Sequence, residues 1–246
     1  MTSSSKNNRH SVNLIGDVRH QPCQQTGVRV LTTVSLPTRR SHTASNDPGC
    51  VNSRLVSFEL TSGEHVALVV GDCQEQNAPL VRVHSECLTG DVFGSARCDC
   101  GPQLQEAIHL MAEQGGVVLY LRQEGRGIGL YNKIEAYRLQ EQGLNTYEAN
   151  LALNQPEDSR DFGVAAAMLQ ALGITRCRLM TNNPDKRRQL QEGGIEVVEQ
   201  YPTGVYLTQA NRLYLEAKVR HGNHQLLLPV IPESGSISSA RYKEKS

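Results

Sequence analysis

Tryptophan is absent from the 246-residue chain and phenylalanine occurs only three times. Binding single-stranded nucleic acid relies on aromatic platforms for base stacking, and this chain has little material for them. Net charge is absent as well, because 25 Lys and Arg balance 25 Asp and Glu. That excludes a broad polyanion-binding surface as the main function, and with it nucleic acid as the expected partner, while leaving room for a local basic pocket. No apolar run approaches the roughly 18–20 residues of a membrane span. The longest, such as Val66–Val70, have the length of buried strands. The N-terminal stretch MTSSSKNNRHSVNLIGD lacks the apolar segment of a secretory signal. Seven cysteines, an odd number, then suit a reducing, cytoplasmic compartment in which thiols serve as ligands or core filler. What is present, 38% hydrophobic and 20% charged residues, excludes a wholly disordered or fibrous chain.

The length fits one domain with tails. Residues 1–25 are polar and read as a tail, residues 229–246 as a second, Ser-rich one, and 26–228 as the domain between them. The first fifty residues hold six basic side chains (Lys6, Arg9, Arg19, Arg29, Arg39, Arg40) against Asp17 and Asp47, which reads as a solvated basic segment rather than a binding arm. Pro37–Asn52 reads as a loop, and no internal repeat is present. Val28–Val34, Leu55–Leu60, His65–Val70 and Leu80–His84 are short and β-rich, and predict a mostly antiparallel sheet. From Gly101 the texture changes. Leu104, Ala107, Ile108 and Met111 recur at helical spacing, Val117–Leu121 reads as a strand, and Leu130, Ile134 and Tyr137 give a helical face. Phe162–Leu172 predicts an apolar helix stopped by Gly173, followed by strand Cys177–Met180, helix Lys186–Glu192 and strand Val197–Val198. The expected class is α/β (α+β), with a β-rich N-terminal part followed by alternating strands and helices.

Four constellations carry chemistry. Cys87, Cys98 and Cys100 form a C-x10-C-x-C set. Three thiolates this close can bind one zinc ion, and soft sulfur favours zinc over magnesium or calcium. Gly94 and Gly101 would let the chain turn around the ion. Three protein ligands leave a fourth position open, the mark of a catalytic rather than a structural site. The alternatives are core thiols, or a site closed by a fourth residue such as His84. Cys23, Cys50, Cys73 and Cys177 stand alone and read as core or surface thiols. The second constellation, Arg122-Gln-Glu-Gly-Arg-Gly-Ile-Gly-Leu130, follows a strand and precedes a helix. Its glycines expose backbone N–H groups to an anion, Arg126 offers a fork, and Glu124 could accept hydrogen bonds from a base such as guanine. A plain turn is the bland alternative. The third, Thr181-Asn-Asn-Pro-Asp-Lys186, again opens a helix at a strand end, and forms either a phosphate cradle or an ordinary capped helix. The fourth is Asp158-Ser-Arg160-Asp161. A carboxylate beside a guanidinium stays ionised, which suits a base or an anion-handling pair, or a mere surface ion pair with a helix cap. Taken together they suggest zinc-activated water, phosphate handling and a purine-sized polar substrate.

Arg82-Val-His-Ser-Glu-Cys87, Gly-Asp-Val-Phe-Gly-Ser-x-Arg-Cys-Asp-Cys-Gly over 90–101, the 122–130 motif, Asn132-Lys-Ile, Asp158-x-Arg160-Asp161 and Thr181-Asn-Asn-Pro closely resemble the GTP cyclohydrolase II family, in order and spacing, over roughly 26–222. The resemblance implies a reaction that opens the imidazole ring of GTP, releases formate from C8 and pyrophosphate, and leaves a diaminopyrimidinone carrying ribose 5-phosphate, on the way to riboflavin or in a related secondary pathway. It implies Cys87, Cys98 and Cys100 as zinc ligands, with zinc activating the water that attacks C8, and Tyr137 assisting. It implies GTP contacts at Arg82, Val83, His84, Ser85, Glu86, Gln103, Glu124, Gly125, Arg126, Thr146, Thr181 and Lys186. Asp158 takes the proton-acceptor position and Arg160 the proposed nucleophile position at the α-phosphorus. Because a guanidinium pKa exceeds about 12, electrostatic clamping by Arg160 is the better physical reading. Magnesium with the triphosphate and a homodimer are also implied. The sequence departs from the family at Ala96, at Pro102 and at Gln200–Gly204, where Val-Pro-Leu is usual. About 70 residues before the motifs are too few for the upstream synthase domain of many members. The alternatives are a partial enzyme giving a formylated pyrimidine or GMP, and a non-catalytic nucleotide-binding protein.

Overall fold

Among the described residues, β-branched runs and glycine punctuation set nine strands: β1 (Arg29–Ser35), β2 (Thr38–Arg39), β3 (Cys50–Val51), β4 (Ser53–Glu59), β5 (Val66–Val70), β6 (Leu80–Ser85), β7 (Gly116–Leu121), β8 (Arg176–Met180) and β9 (Glu196–Tyr201). The helices are α1 (Leu88–Asp91), α2 (Cys100–Gln114), α3 (Leu130–Glu141), α4 (Thr146–Ala152), α5 (Gly163–Ala171) and α6 (Pro184–Glu192). This is a computed structural model, and it describes residues 27–39, 49–73, 75–144, 146–156, 158–212 and 214–216. The two expected tails, Cys23 and residues 40–48 lie outside them.

The expected antiparallel sheet and α/β layer are one structure. Seven strands pair in the order β1-β4-β5-β7-β6-β8-β9. The β1, β4, β5 and β7 contacts are antiparallel, and β7, β6, β8 and β9 run parallel. Strand β7 joins the halves, pairing Val66–Val70 on one side and Leu80–Ser85 on the other. Two expectations are corrected, and one element is new. Leu80–His84, expected with the antiparallel strands, runs parallel to both its neighbours, because each is reached by a helical crossover. The loop expected over Pro37–Asn52 carries a small ribbon, β2 on β3, with Thr38 opposite Val51 and the Thr38 and Ser53 hydroxyls 2.7 Å apart. The short helix α4 has too few turns for apolar periodicity to announce it in the sequence.

The period of two along the parallel strands sends side chains to opposite faces. Val81, Val83, Val117, Leu119, Leu121, Cys177 and Leu179 face a core with Phe162, Met168 and Leu169 of the α5 region and Leu190 of α6. Leu80, Val118 and Met180 face the other way, onto Ala107 and Met111 of α2. The chain leaves β6 for β7 on one side and later reaches β8 on the other. β6 is therefore a topological switch point, and the crevice beyond the carboxyl ends of such strands is where ligands bind in open α/β sheets.

His65 is buried at the start of β5 and accepts a hydrogen bond from the Arg122 N–H through Nδ1 at 2.9 Å. Burial first, and the Arg122 charge second, hold its pKa below the ordinary value. The unfolded chain then takes up a proton near pH 6.5 that the folded chain refuses, so stability contributed here is complete above about pH 6.5 and declines as pH falls below it. Urea unfolding of wild type should weaken from about pH 7.5 to about pH 5.5, and His65→Gln should show a smaller difference between the two.

Candidate active site

Three of the four motifs singled out in the sequence follow the carboxyl ends of parallel strands, and the fourth, Asp158–Asp161, lies between α4 and α5 with Ser159 N on the Arg126 carbonyl of the second. β6 runs into Glu86 and Cys87, β7 into the 122–129 loop, and β8 into Thr181–Asn183. The three cysteines come together there, with their sulfur atoms all within 4.8 Å of one another and Cys87 Sγ 3.6 Å from Cys98 Sγ. Tetrahedral coordination with bonds of about 2.3 Å puts sulfurs about 3.7–3.8 Å apart, so the trio fits a thiophilic metal ion. His84 does not close the set. Its Nε2 is bonded to Asp91 at 3.1 Å, and among the described residues the cluster consists of the three cysteines.

The fit depends on two glycines. A Cβ on Gly101 would lie 2.3 Å from the Gly90 carbonyl oxygen, and one on Gly90 would lie 2.7 Å from Cys98 Sγ and 3.2 Å from Cys87 Sγ. Gly94 makes the expected turn at φ 63, whereas Gly101 acts by close approach instead. Cys100 is the first residue of α2, where the helix N-terminus favours a thiolate. Hydrogen bonds from Cys100 and Cys98 hold the Cys87 thiol far below its ordinary pKa. Cys98 is pushed up to about 11, because the neighbouring Cys87 and burial outweigh its hydrogen bond with Cys100.

Residues with no assigned role in the sequence reading hold this cluster in place. Asp91 accepts from the Cys87 N–H at 3.0 Å, the Tyr120 hydroxyl at 2.9 Å and His84 Nε2, tying α1 to β6 and β7. Lys133 donates to Cys87 Sγ at 3.2 Å and to Glu124 Oε1 at 2.8 Å. Glu124, expected to read a base, has its buried carboxylate engaged by the protein, with Oε2 accepting from Leu88 N at 2.7 Å and Oε1 from Gly125 N at 2.8 Å. Tyr137 lies one helical turn past Lys133, its ring 4.8 Å from the Arg97 guanidinium and 5.8 Å from Lys133 Nζ, and burial raises its pKa. The i, i+4 spacing of Lys133 and Tyr137 is the signal in the sequence that could have exposed Lys133.

The remaining expected contacts form two groups. On the α2 face, buried Arg82 donates to the Met180 carbonyl and to Gln103 Oε1 at 2.9 Å, and Gln103 donates to Asp99 at 2.7 Å. Glu86 accepts from Arg122 at 2.9 Å, and Ser85 ends β6 with a buried hydroxyl that has no protein partner. On the other side, the Lys186 ammonium donates to the Val83 carbonyl at 2.8 Å and lies 5.1 Å from the Phe162 ring. Arg160 lies 5.2 Å from the same ring and forks onto Asp158, with Nε 2.8 Å from Oδ1. Burial opposes the charge on both partners, yet the pair prevails: Asp158 is held below the usual carboxylate range and Arg160 above its ordinary value. Gly125 and Arg126 adopt left-handed backbone at φ 63 and 60. The Arg126 carbonyl is fixed in that costly conformation by Ser159 N at 3.0 Å. Thr181 Oγ1 accepts from Asn183 N at 3.0 Å, and the Asn183 side chain caps α6. Thr146 is the first residue of α4, away from the strand ends in sequence.

This arrangement defines a class of protein: an α/β domain with three clustered thiols and glycine-rich loops at the carboxyl ends of its switch-point strands. The chain belongs to the GTP cyclohydrolase II family, whose sequence profile matches residues 40–202. It is 59% identical over 181 residues to GTP cyclohydrolase-2 of Vibrio cholerae, across 72% of this chain and 91% of that one. Identity to the Vibrio parahaemolyticus GTP cyclohydrolase-2 is also 59%, over 179 residues, 72% of this chain and 90% of that one. The riboflavin biosynthesis protein RibBA of Bacillus cereus is 46% identical over 220 residues, 85% of this chain but 55% of its own length.

Gly101→Ala tests the glycine contact. Alanine gains at most about 1 kcal/mol of helix propensity. Overpacking against the Gly90 carbonyl costs about 1–3 kcal/mol, so the net effect should be destabilisation, read as a lower urea midpoint.

Proposed function

We propose that the chain hydrolyses GTP to formate, pyrophosphate and 2,5-diamino-6-(5-phosphoribosylamino)pyrimidin-4(3H)-one, in riboflavin biosynthesis or a related pathway. One observation supports this reading: the three clustered thiols lie at the end of the sheet whose next loops carry Arg126 and lead to Lys186, with the Asp158–Arg160 segment tied to the Arg126 carbonyl through Ser159 N. In this reading Cys87, Cys98 and Cys100 hold zinc. A thiolate-bound zinc ion with an open position acts as a Lewis acid and makes hydroxide available near neutral pH.

The chain's own residues then divide the work. The Arg126 loop, Thr181 and Lys186 hold the triphosphate, with magnesium accompanying it. Arg82 braces Gln103 beneath the purine. Tyr137 is kept protonated by burial, so it is a proton donor to the opening ring rather than a base. At the α-phosphorus, Arg160 keeps its proton and its fork, which suits stabilising charge on the phosphate better than forming a bond to it. Asp158 stays ionised beside it and is able to accept a proton from the attacking water. Water enters at C8 to open the ring, again to release the formyl group, and at the α-phosphorus to release pyrophosphate. A cytoplasmic homodimer goes with this reading, and among the described residues no helix is long and apolar enough to cross a membrane.

Mass spectrometry of the reaction of GTP with the zinc-loaded chain should give formate, pyrophosphate and the pyrimidine. Cys98→Ser should leave the purine absorbance unchanged. A product retaining the formyl group, or GMP alone, would replace this reading with a partial reaction, and no turnover at all would leave a nucleotide-binding protein. Arg160→Lys should keep more pyrophosphate release than Arg160→Ala, and a trapped guanylyl adduct on wild type would overturn the clamp.

A further inference from the structure

We infer that Lys133 is a positioning residue for the thiol cluster, holding an N–H···S hydrogen bond on Cys87 that makes this sulfur the weakest electron donor of the three. The inference rests on the metal reading above. Three thiolates around one dication sum to a net charge of −1, an electron-rich arrangement that weakens a Lewis acid. A cationic donor on one sulfur opposes this, as outer-shell partners of metal ligands commonly do.

The geometry is specific. The Lys133 ammonium is 3.2 Å from Cys87 Sγ and 2.8 Å from Glu124 Oε1, and both side chains are largely buried. The same Glu124 carboxylate takes the backbone N–H of Leu88, the residue after Cys87, at 2.7 Å. One acid therefore fixes both the ammonium over the sulfur and the chain that carries the sulfur. The lysine stem passes where a side chain at 125 would stand, since a Cβ on Gly125 would lie 3.2 Å from Lys133 Cβ. A plain ion pair would need only the carboxylate. Here the ammonium also reaches a thiol of the cluster, and the glycine that admits it belongs to the same loop as Glu124.

Cobalt(II) in place of zinc reports on the sulfurs through its thiolate-to-metal charge-transfer band, independently of turnover. Loss of a hydrogen bond raises the energy of the sulfur electrons and lowers the energy of that band. Lys133→Met should shift the band of the cobalt-loaded chain to longer wavelength, and Lys133→Arg should hold it near the wild-type position. Glu124→Gln, which loosens the ammonium without removing it, should give a smaller shift in the same direction. For zinc-loaded Lys133→Met, kcat for ring opening should fall about 10–100-fold with KM for GTP little changed. A band unmoved in both Lys133→Met and Glu124→Gln, with wild-type kcat in the former, would overturn the inference. Absence of any charge-transfer band in the wild type would instead overturn the metal reading itself.

Discussion

The contact between Gly90 and Gly101 is the constraint on which the site depends. It lets the turn after β6 lie against the first turn of α2 with no side chain between them. Only at that separation does the Cys87 sulfur meet those of Cys98 and Cys100. The same approach leaves Asp91 facing inward, where its carboxylate collects the Cys87 N–H, the Tyr120 hydroxyl and His84. Removal of that carboxylate would strand a buried imidazole and a phenol, each at a cost of about 1–3 kcal/mol. Sulfur geometry and strand-end packing are thus one mechanical unit.

The parallel half of the sheet supplies the second layer of organisation. Because β6 has its sequence successors on opposite sides, the loops after three parallel strands leave from the same end of the sheet. A chain with no net charge can in this way concentrate cations where it needs them. Arg160 and Lys186 both approach the Phe162 ring, and the Arg126 charge reaches Asp158. Departure from the family at Gln200–Gly204 falls on this same edge. Thr203 receives the Asn182 side chain at 2.9 Å on its carbonyl, and Gly204 N donates to Glu106 at 2.9 Å. The altered segment therefore makes its own contacts with the loop after β8 and with α2.

Strands rich in Val and Leu were legible because burial on both faces produces unbroken apolar runs, as in Val117–Leu121. Cys87, Cys98 and Cys100 were legible because few uses other than metal binding need three thiols so close. What the pattern could not convey was pairing across distance. Nothing in Val66–Val70 says that its second neighbour is a strand beyond α2, so the continuity of the antiparallel strands with the α/β layer is not written in the pattern. Asp91 and Lys133 stand within motifs that carry the resemblance, but their roles were hidden for a different reason. In a sequence an isolated Asp or Lys looks solvated, and only the closing of α1 and α3 over β6 and β7 turns them inward. Glu124 was found, but its partners were not foreseen, because its carboxylate is answered by Leu88 and Lys133 from other segments.

With Glu124 engaged by Leu88, Gly125 and Lys133, the polar atoms left open at this end of the sheet belong to other residues. Ser85 at the end of β6 and Gln123 just past β7 each have a buried oxygen without a protein partner, and His84 Nδ1 is buried in the same state. His65 Nε2 and Arg82 Nε are unmatched as well, and since an unmatched buried polar atom costs about 1–3 kcal/mol, each calls for a water or another polar group as its partner. Those of His84, Ser85 and Gln123 belong to the carboxyl ends of adjacent strands, with His84 and Ser85 on opposite faces of β6. The neutral atoms left open on β6 and just past β7 thus stand apart from the charged groups Asp158, Arg160 and Lys186, which are already engaged with one another or with the backbone.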